Sequence, residues 1–286
     1  MKKNPLDPAL QARCEKYLIE VQNHLRDELL PYWRSHGVDS EYGGFLTYYD
    51  RAGMPTGETI KTLVCQTRMI YTFASIHRAG LDDGKFLEWA QQGVEFLIDH
   101  FWDHDHGGWC WTAERDGAIL DPSKIAYGQS FAMYALSEYG MASGDLRGME
   151  WAAKTFETFQ TFAADNRYGG YYEFFEKDWQ KKAPGVYGGD RKSFDVHMHL
   201  MEAFTNLYEA TGAPIYYDRT REVVGLLFDR IILTGRRSAT FSSRTCGDPI
   251  ATSKKTKDAP WTTRATVTTS NSRGYCVTPS TSSISI

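Results

Sequence analysis

Apolar residues recur every three or four positions along most of the first 233 residues. From Pro8 to Trp33 they fall at Leu10, Cys14, Leu18, Val21, Leu25 and Leu29, the stripe of one helical face. The same period returns near 61–79, 85–102, 124–142, 147–164, 193–211 and 216–232. Seven helices are predicted, with no βαβ alternation. The punctuation agrees: Asp121-Pro122 precedes one helix and Thr211-Gly212 closes another.

A second pattern runs between the helices. Gly43-Gly44-Phe45, Gly107-Gly108-Trp109 and Gly169-Gly170-Tyr171 each lead into a short aromatic run and an acid–base turn, at offsets of 64 and 62 residues. Each period holds two helices and one short β-hairpin. A helical hairpin cannot bury both apolar faces alone, so such units stack, as an open solenoid or as a closed α/α toroid. Hairpins at one end of every helix pair favour the toroid, because they can line a common mouth. Their aromatics, Trp109 among them, are candidate sugar-stacking surfaces; the alternative is that they pack against the hairpins themselves.

Composition divides the chain. Residues 234–286 are 53 positions with 22 Ser or Thr, no Leu, Glu, Gln, His or Met, and a charge balance of +6. The whole chain carries −4, so residues 1–233 carry −10. An acidic body argues against nucleic-acid binding. No run approaches the ~20 apolar residues of a membrane span, and MKKNPLDPALQARCEK has no apolar h-region, so no secretory signal is expected. Five scattered cysteines without a CxxC pair suggest neither a disulfide framework nor a zinc site. A cytoplasmic location is expected.

Three segments could carry chemistry. KTLVCQTRMIYTFASIH places Arg68 in an otherwise apolar helix, where a guanidinium needs an interhelical carboxylate or a ligand oxygen. IAYGQSFAMYALSEYG opens with Tyr127 and Gln129, which can face a pocket or serve the helix end. SFDVHMHLMEAF carries His197 and His199 between Asp195 and Glu202. Spacing of i, i+2 puts the two histidines on different helical faces, so one can face a cavity while the other packs; a shared metal ion is not expected. A carboxylate beside a histidine can fix its tautomer and raise its basicity.

CQTRMIYTFA, AYGQSFAMYALSEY, GGYYEFFEKDW and HMHLMEAFTNLYE resemble the N-acylglucosamine 2-epimerase superfamily, especially its cellobiose 2-epimerase-like branch, over residues 8–232. The resemblance implies an all-α (α/α)6 toroid of helical hairpins, of which the three repeats are half. It implies epimerisation at C2 of a reducing sugar, or aldose–ketose isomerisation. The ring opens, a histidine removes the C2 proton, and a cis-enediolate is reprotonated on the other face, with no metal or nucleotide cofactor in the proton transfer. Arg68 matches the arginine on the sugar oxygens. His199 matches the histidine of the HLxEA motif, active in ring opening or in holding the C1 and C5 oxygens. Tyr127, Asp195, Glu202 and Trp109 are substrate contacts; Asp195 replaces an asparagine usual in cellobiose-type members. A small sugar is the expected partner, and a homodimer the candidate assembly.

Two further histidines of the family, one in a GHDIE motif, lie beyond this helix, and this sequence has no histidine after 199. The codons of RATVTTSNSRGYCVTPST (264–281), read one base early, can encode Gly-Tyr-Gly-His-Asp-Ile-Glu and then Leu-Ser-Trp-Leu-Leu. Residues 1–233 are therefore expected to be a partial toroid. Residues 234–286 are expected to be an out-of-frame, disordered tail on a chain that is inactive as written. Six hairpins at this period need roughly 370 residues. The competing readings are a glycoside hydrolase on the same toroid, with Asp195, Glu202 and Glu173 as carboxylates, and a non-catalytic carbohydrate- or protein-binding scaffold.

Overall fold

A computed structural model describes residues 7–229 and a strand at 240–242. The predicted helices are present. The first is one run built of α1 (Pro8–His24), a π-turn (Leu25–Leu29) and α2 (Leu30–His36). Pro31, which has no N–H for the helical ladder, lies just past the π-turn. Then follow α3 (Leu63–Arg78), α4 (Lys85–Phe96), α5 (Ala126–Ser143), α6 (Leu146–Ala163), α7 (Phe194–Thr211) and α8 (Pro214–Leu227). Side-chain oxygens cap the starts: Thr62 accepts from Cys65 N–H and Ser193 from Val196 N–H. Left-handed Gly144 and Gly212 end α5 and α7.

Helices α3, α5 and α7 pack side by side as an inner row, and α4, α6 and α8 each back their own inner helix. This is an all-α arc of helical hairpins. α5, flanked on both sides, has thirteen buried residues, whereas α1 has none. The core lies between the rows and includes Ile70, Phe73, Leu97, Leu136, Phe159, Leu200 and Phe204.

The short strands link neighbours in a regular register. β1 (Lys61–Thr62) pairs with β2 (Thr112–Ala113), which continues to β3 (Ile119–Asp121). β4 (Lys124–Ile125) pairs with β5 (Phe174–Phe175), and β6 (Arg191–Ser193) with β7 (Thr240–Ser242). Each strand that leads into an inner helix thus pairs with a strand that follows the next outer helix. Of the 53-residue segment expected to be unstructured, 240–242 form a strand in this register; its other residues lie outside the described ones.

Candidate active site

Each Gly-Gly turn is held by the same device. Asp39, Asp103 and Asp165 accept backbone N–H bonds from the loop that each begins. A buried lysine pairs with each aspartate: Lys61 with Asp39 at 3.0 Å, Lys124 with Asp103 at 2.9 Å, Lys192 with Asp165 at 2.5 Å. Burial alone would raise the Asp39 and Asp165 carboxyls. The hydrogen bonds they accept, led by Arg115 and Lys61 for Asp39 and by Lys192 for Asp165, outweigh it and hold both at about 2.

Five residues after each lysine stands a clamp on the backbone. Gln66 bonds Phe45 N–H and C=O, both at 2.8 Å, and Gln129 bonds Trp109 N–H at 3.0 Å and C=O at 2.7 Å. His197 Nε2 accepts Tyr171 N–H at 3.1 Å. The second glycine of each turn has φ between +63° and +80°, and a Cβ there would meet Gln66, Trp179 or His197 within 2.6 Å. Only glycine fits that approach.

The clamps put the three inner helices in register. Counting from each lysine, positions 7, 10, 14 and 17 residues on meet across the row. At the first of these levels the Arg68 guanidinium lies over the Phe131 ring at 4.4 Å, and Phe131 lies 4.7 Å from His199. Next, Tyr71 and Tyr134 stack at 3.8 Å, with burial, Tyr71 and Glu202 all raising the Tyr134 phenol. Below them Glu138 accepts from Ser75 at 3.0 Å and from Asn206 at 3.4 Å. At the last level Arg78 reaches Glu209 at 3.0 Å.

The candidate residues separate cleanly. His199 is partly exposed, stands edge-to-face with Tyr127 at 4.9 Å, and places Nδ1 2.8 Å from Glu202 Oε2. An ionised carboxylate only accepts, so Glu202 fixes the proton on Nδ1 and leaves the Nε2 lone pair free. Arg68 is exposed and makes no ion pair among the described residues, so the interhelical-carboxylate alternative does not hold there. Asp195 is exposed one turn before His199. His197 is buried, and that burial pushes its imidazole down to about 4. Gln129 is buried and serves its clamp.

Trp109 is a correction. It is 0% exposed, its indole N–H donates to Thr155 Oγ1 at 2.8 Å, and Trp102 and Trp151 enclose it. Phe45 and Tyr171 are buried likewise. These rings are core, and none can stack on a sugar. Glu173 is also buried, accepts Ser193 N–H, and burial raises its carboxyl.

Phe131 and the Asp–Lys–Gln/His clamps went unread in the sequence. Their signal is there: Asp-x3-Gly-Gly-aromatic at 39, 103 and 165, then Lys-x4-Gln or Lys-x4-His at 61, 124 and 192. Asp103, Asp105 and His106 bring potential metal-ligating atoms within 4.8 Å of one another, but Asp103 is already spent on Lys124. A surface cavity of about 550 Å3 beside α2, lined by Arg26, Leu30, Arg34, Asp83 and Phe86, shares no residue with the Arg68–His199 cluster.

The profile of the N-acylglucosamine 2-epimerase (GlcNAc 2-epimerase) family matches residues 43–238. The chain belongs to this family. It is 30% identical over 220 residues to a cellobiose 2-epimerase of Bacteroides fragilis, covering 74% of this chain and 55% of that protein. It is 29% identical over 221 residues to a mannose-6-phosphate isomerase of Rhizobium meliloti, covering 74% and 52%. The structure of a cellobiose 2-epimerase from Spirochaeta thermophila superposes with a TM-score of 0.72 at 29% identity, covering 79% of this chain and 56% of that one. The chain thus spans about half the length of these relatives. No helix among the described residues is long and apolar enough to cross a membrane.

Proposed function

We propose that the Arg68–Phe131–His199 level, with Tyr127 and Glu202, is part of the reaction site of a sugar 2-epimerase or aldose–ketose isomerase. The observation that carries this reading is a guanidinium with no carboxylate partner among the described residues, stacked on Phe131, one ring away from a histidine whose tautomer a carboxylate fixes. Opening a pyranose requires a proton to leave O1 and one to reach O5. His199 Nε2, backed by Glu202, is suited to that exchange. Removing the C2 proton next to the aldehyde then puts negative charge on the enediolate oxygens. A bidentate guanidinium is suited to hold that charge. Tyr127 and Asp195 flank the sugar.

The acid and base that exchange the C2 proton are assigned to the two histidines that the shifted frame would restore. Epimerase activity accordingly belongs to the in-frame protein, and the 286-residue chain is proposed to be inactive. The DNA sequence across codons 228–240 tests the frame: a single-base shift there supports the reading, and an uninterrupted frame removes it.

A glycosidase needs two carboxylates flanking the scissile bond. Here Glu202 is bonded to His199 and Glu173 to Ser193 N–H, leaving Asp195 without an opposite number among the three candidates. Incubation of the in-frame protein with cellobiose or mannose in D2O separates the readings. Deuterium at C2 is the expected result; glycosidic cleavage would favour the hydrolase, and binding without chemistry the scaffold.

A further inference from the structure

Two of the three backbone clamps use an amide, and the third uses an imidazole. Gln66 and Gln129 each offer the loop N–H a carbonyl oxygen that has no proton to gain near neutral pH. His197 occupies the same place, five residues after the lysine, and both its ring nitrogens are engaged. Nδ1–H donates to Ser193 O at 2.7 Å, and Nε2 accepts Tyr171 N–H at 3.1 Å. That arrangement requires the neutral ring. A proton on Nε2 would set one N–H against another and break the clamp.

The charged groups around the ring come from each element packed against it. Lys192, paired with Asp165, precedes α7 and opposes a positive ring. Glu222 of α8, paired with Arg219 at 2.6 Å, favours one, and also accepts Gly170 N–H at 3.3 Å. His197 is 3% exposed, so desolvation dominates and disfavours the cation.

We propose that His197 is a positioning residue that, as a neutral imidazole, holds the Gly170–Tyr171 loop on the first turn of α7, and that this clamp, unlike those of Gln66 and Gln129, is opened by a proton. His199 lies two residues further along the same helix, so an open clamp frees the turn that carries it. That consequence rests on the role proposed for His199; the opening itself does not, and is measured without catalysis.

The folded value of about 4 lies below the ordinary 6.5. The open loop therefore binds a proton that the closed loop does not. Closure is fully favoured above 6.5 and loses ground as pH falls from 6.5 to about 4, roughly ten-fold per pH unit. Amide hydrogen exchange on the 286-residue chain reads this directly, with Phe45 and Trp109 as internal controls. The expected result is that Tyr171 protection falls with acid across that window while Phe45 and Trp109 do not follow. In His197→Gln, which installs the clamp of the other two repeats, Tyr171 should lose this pH dependence. Tyr171 tracking Trp109 in the unsubstituted chain, or the same acid loss persisting in His197→Gln, would overturn the proposal. Nitrogen-15 histidine spectra of the unsubstituted chain decide independently of the variant: a His197 ring titrating near 6.5 in the folded state sinks it.

Discussion

Asp39, Asp103 and Asp165 stand at equivalent places in three repeats and do the same work with the same partners. Arg68, Phe131 and His199 also stand at equivalent places, and no two share a chemistry. The clamps tie a glycine turn to the next helix, a task that is identical each time, so the repeat reuses aspartate, lysine and an N–H acceptor. At the inner levels side chains of three neighbouring helices meet one another, and there the residue types diverge: cation, ring and imidazole at one level, two phenols and a carboxylate at the next. Within one chain, sameness across the repeat marks a building task, and difference at a matched position is where the proposed site falls.

The sharpest break in that contrast comes from removing a clamp lysine. Lys124→Met leaves the Asp103 carboxylate without its buried cation and should cost about 3–5 kcal/mol of folding stability, read by thermal or denaturant unfolding. A loss under about 1 kcal/mol would show that the ion pair does not hold the loop.

Burial makes a second division, between α5 and α1. Leu136→Ala, at a fully buried position, should cost about 2–5 kcal/mol, and Leu18→Ala, at a position 57% exposed, less than about 0.5 kcal/mol. Equal costs would mean that the α1 stripe is covered in solution.

Acid titration should unfold the chain in two stages. The depressed His197 value withdraws stability between 6.5 and about 4. Asp39 and Asp165, held at about 2 against an ordinary 3.8, contribute stability that is present above 3.8 and lost as pH falls towards 2. Unfolding followed against pH, with and without His197→Gln, resolves the upper stage, which the variant should flatten.

The smallest expected effect falls on Glu202. In the in-frame protein, Glu202→Gln keeps a hydrogen-bond partner for His199 but removes the charge. Turnover should drop about ten-fold, with the pH–rate profile displaced and stability unchanged within about 0.5 kcal/mol. An unmoved profile would detach Glu202 from His199.

Helical periodicity and the Gly-Gly-aromatic repeat carried most of the fold, because three-and-four spacing and positive-φ turns are local properties of the chain. The two histidines separated for the same reason: an i, i+2 spacing forces different faces, and the structure buries His197 and leaves His199 partly exposed. Trp109 was misread because exposure is not local. The same Gly-Gly-aromatic signal fits a ring on a mouth or a ring under it, and the Gln129 clamp and the Thr155 hydroxyl draw it under. Phe131 was invisible for a related reason. A phenylalanine in an apolar helix looks like core until the register of three helices sets it between Arg68 and His199.

The most direct test of the site reading is deuterium incorporation at C2 of cellobiose or mannose in D2O, catalysed by the in-frame protein and by its His199→Asn and Arg68→Lys forms. The account predicts deuterium with the parent protein. In both variants it predicts a rate lower by roughly two orders of magnitude or more, with thermal unfolding unchanged. Variants that exchange C2 at the parent rate, or that lose activity only because they unfold, would contradict it.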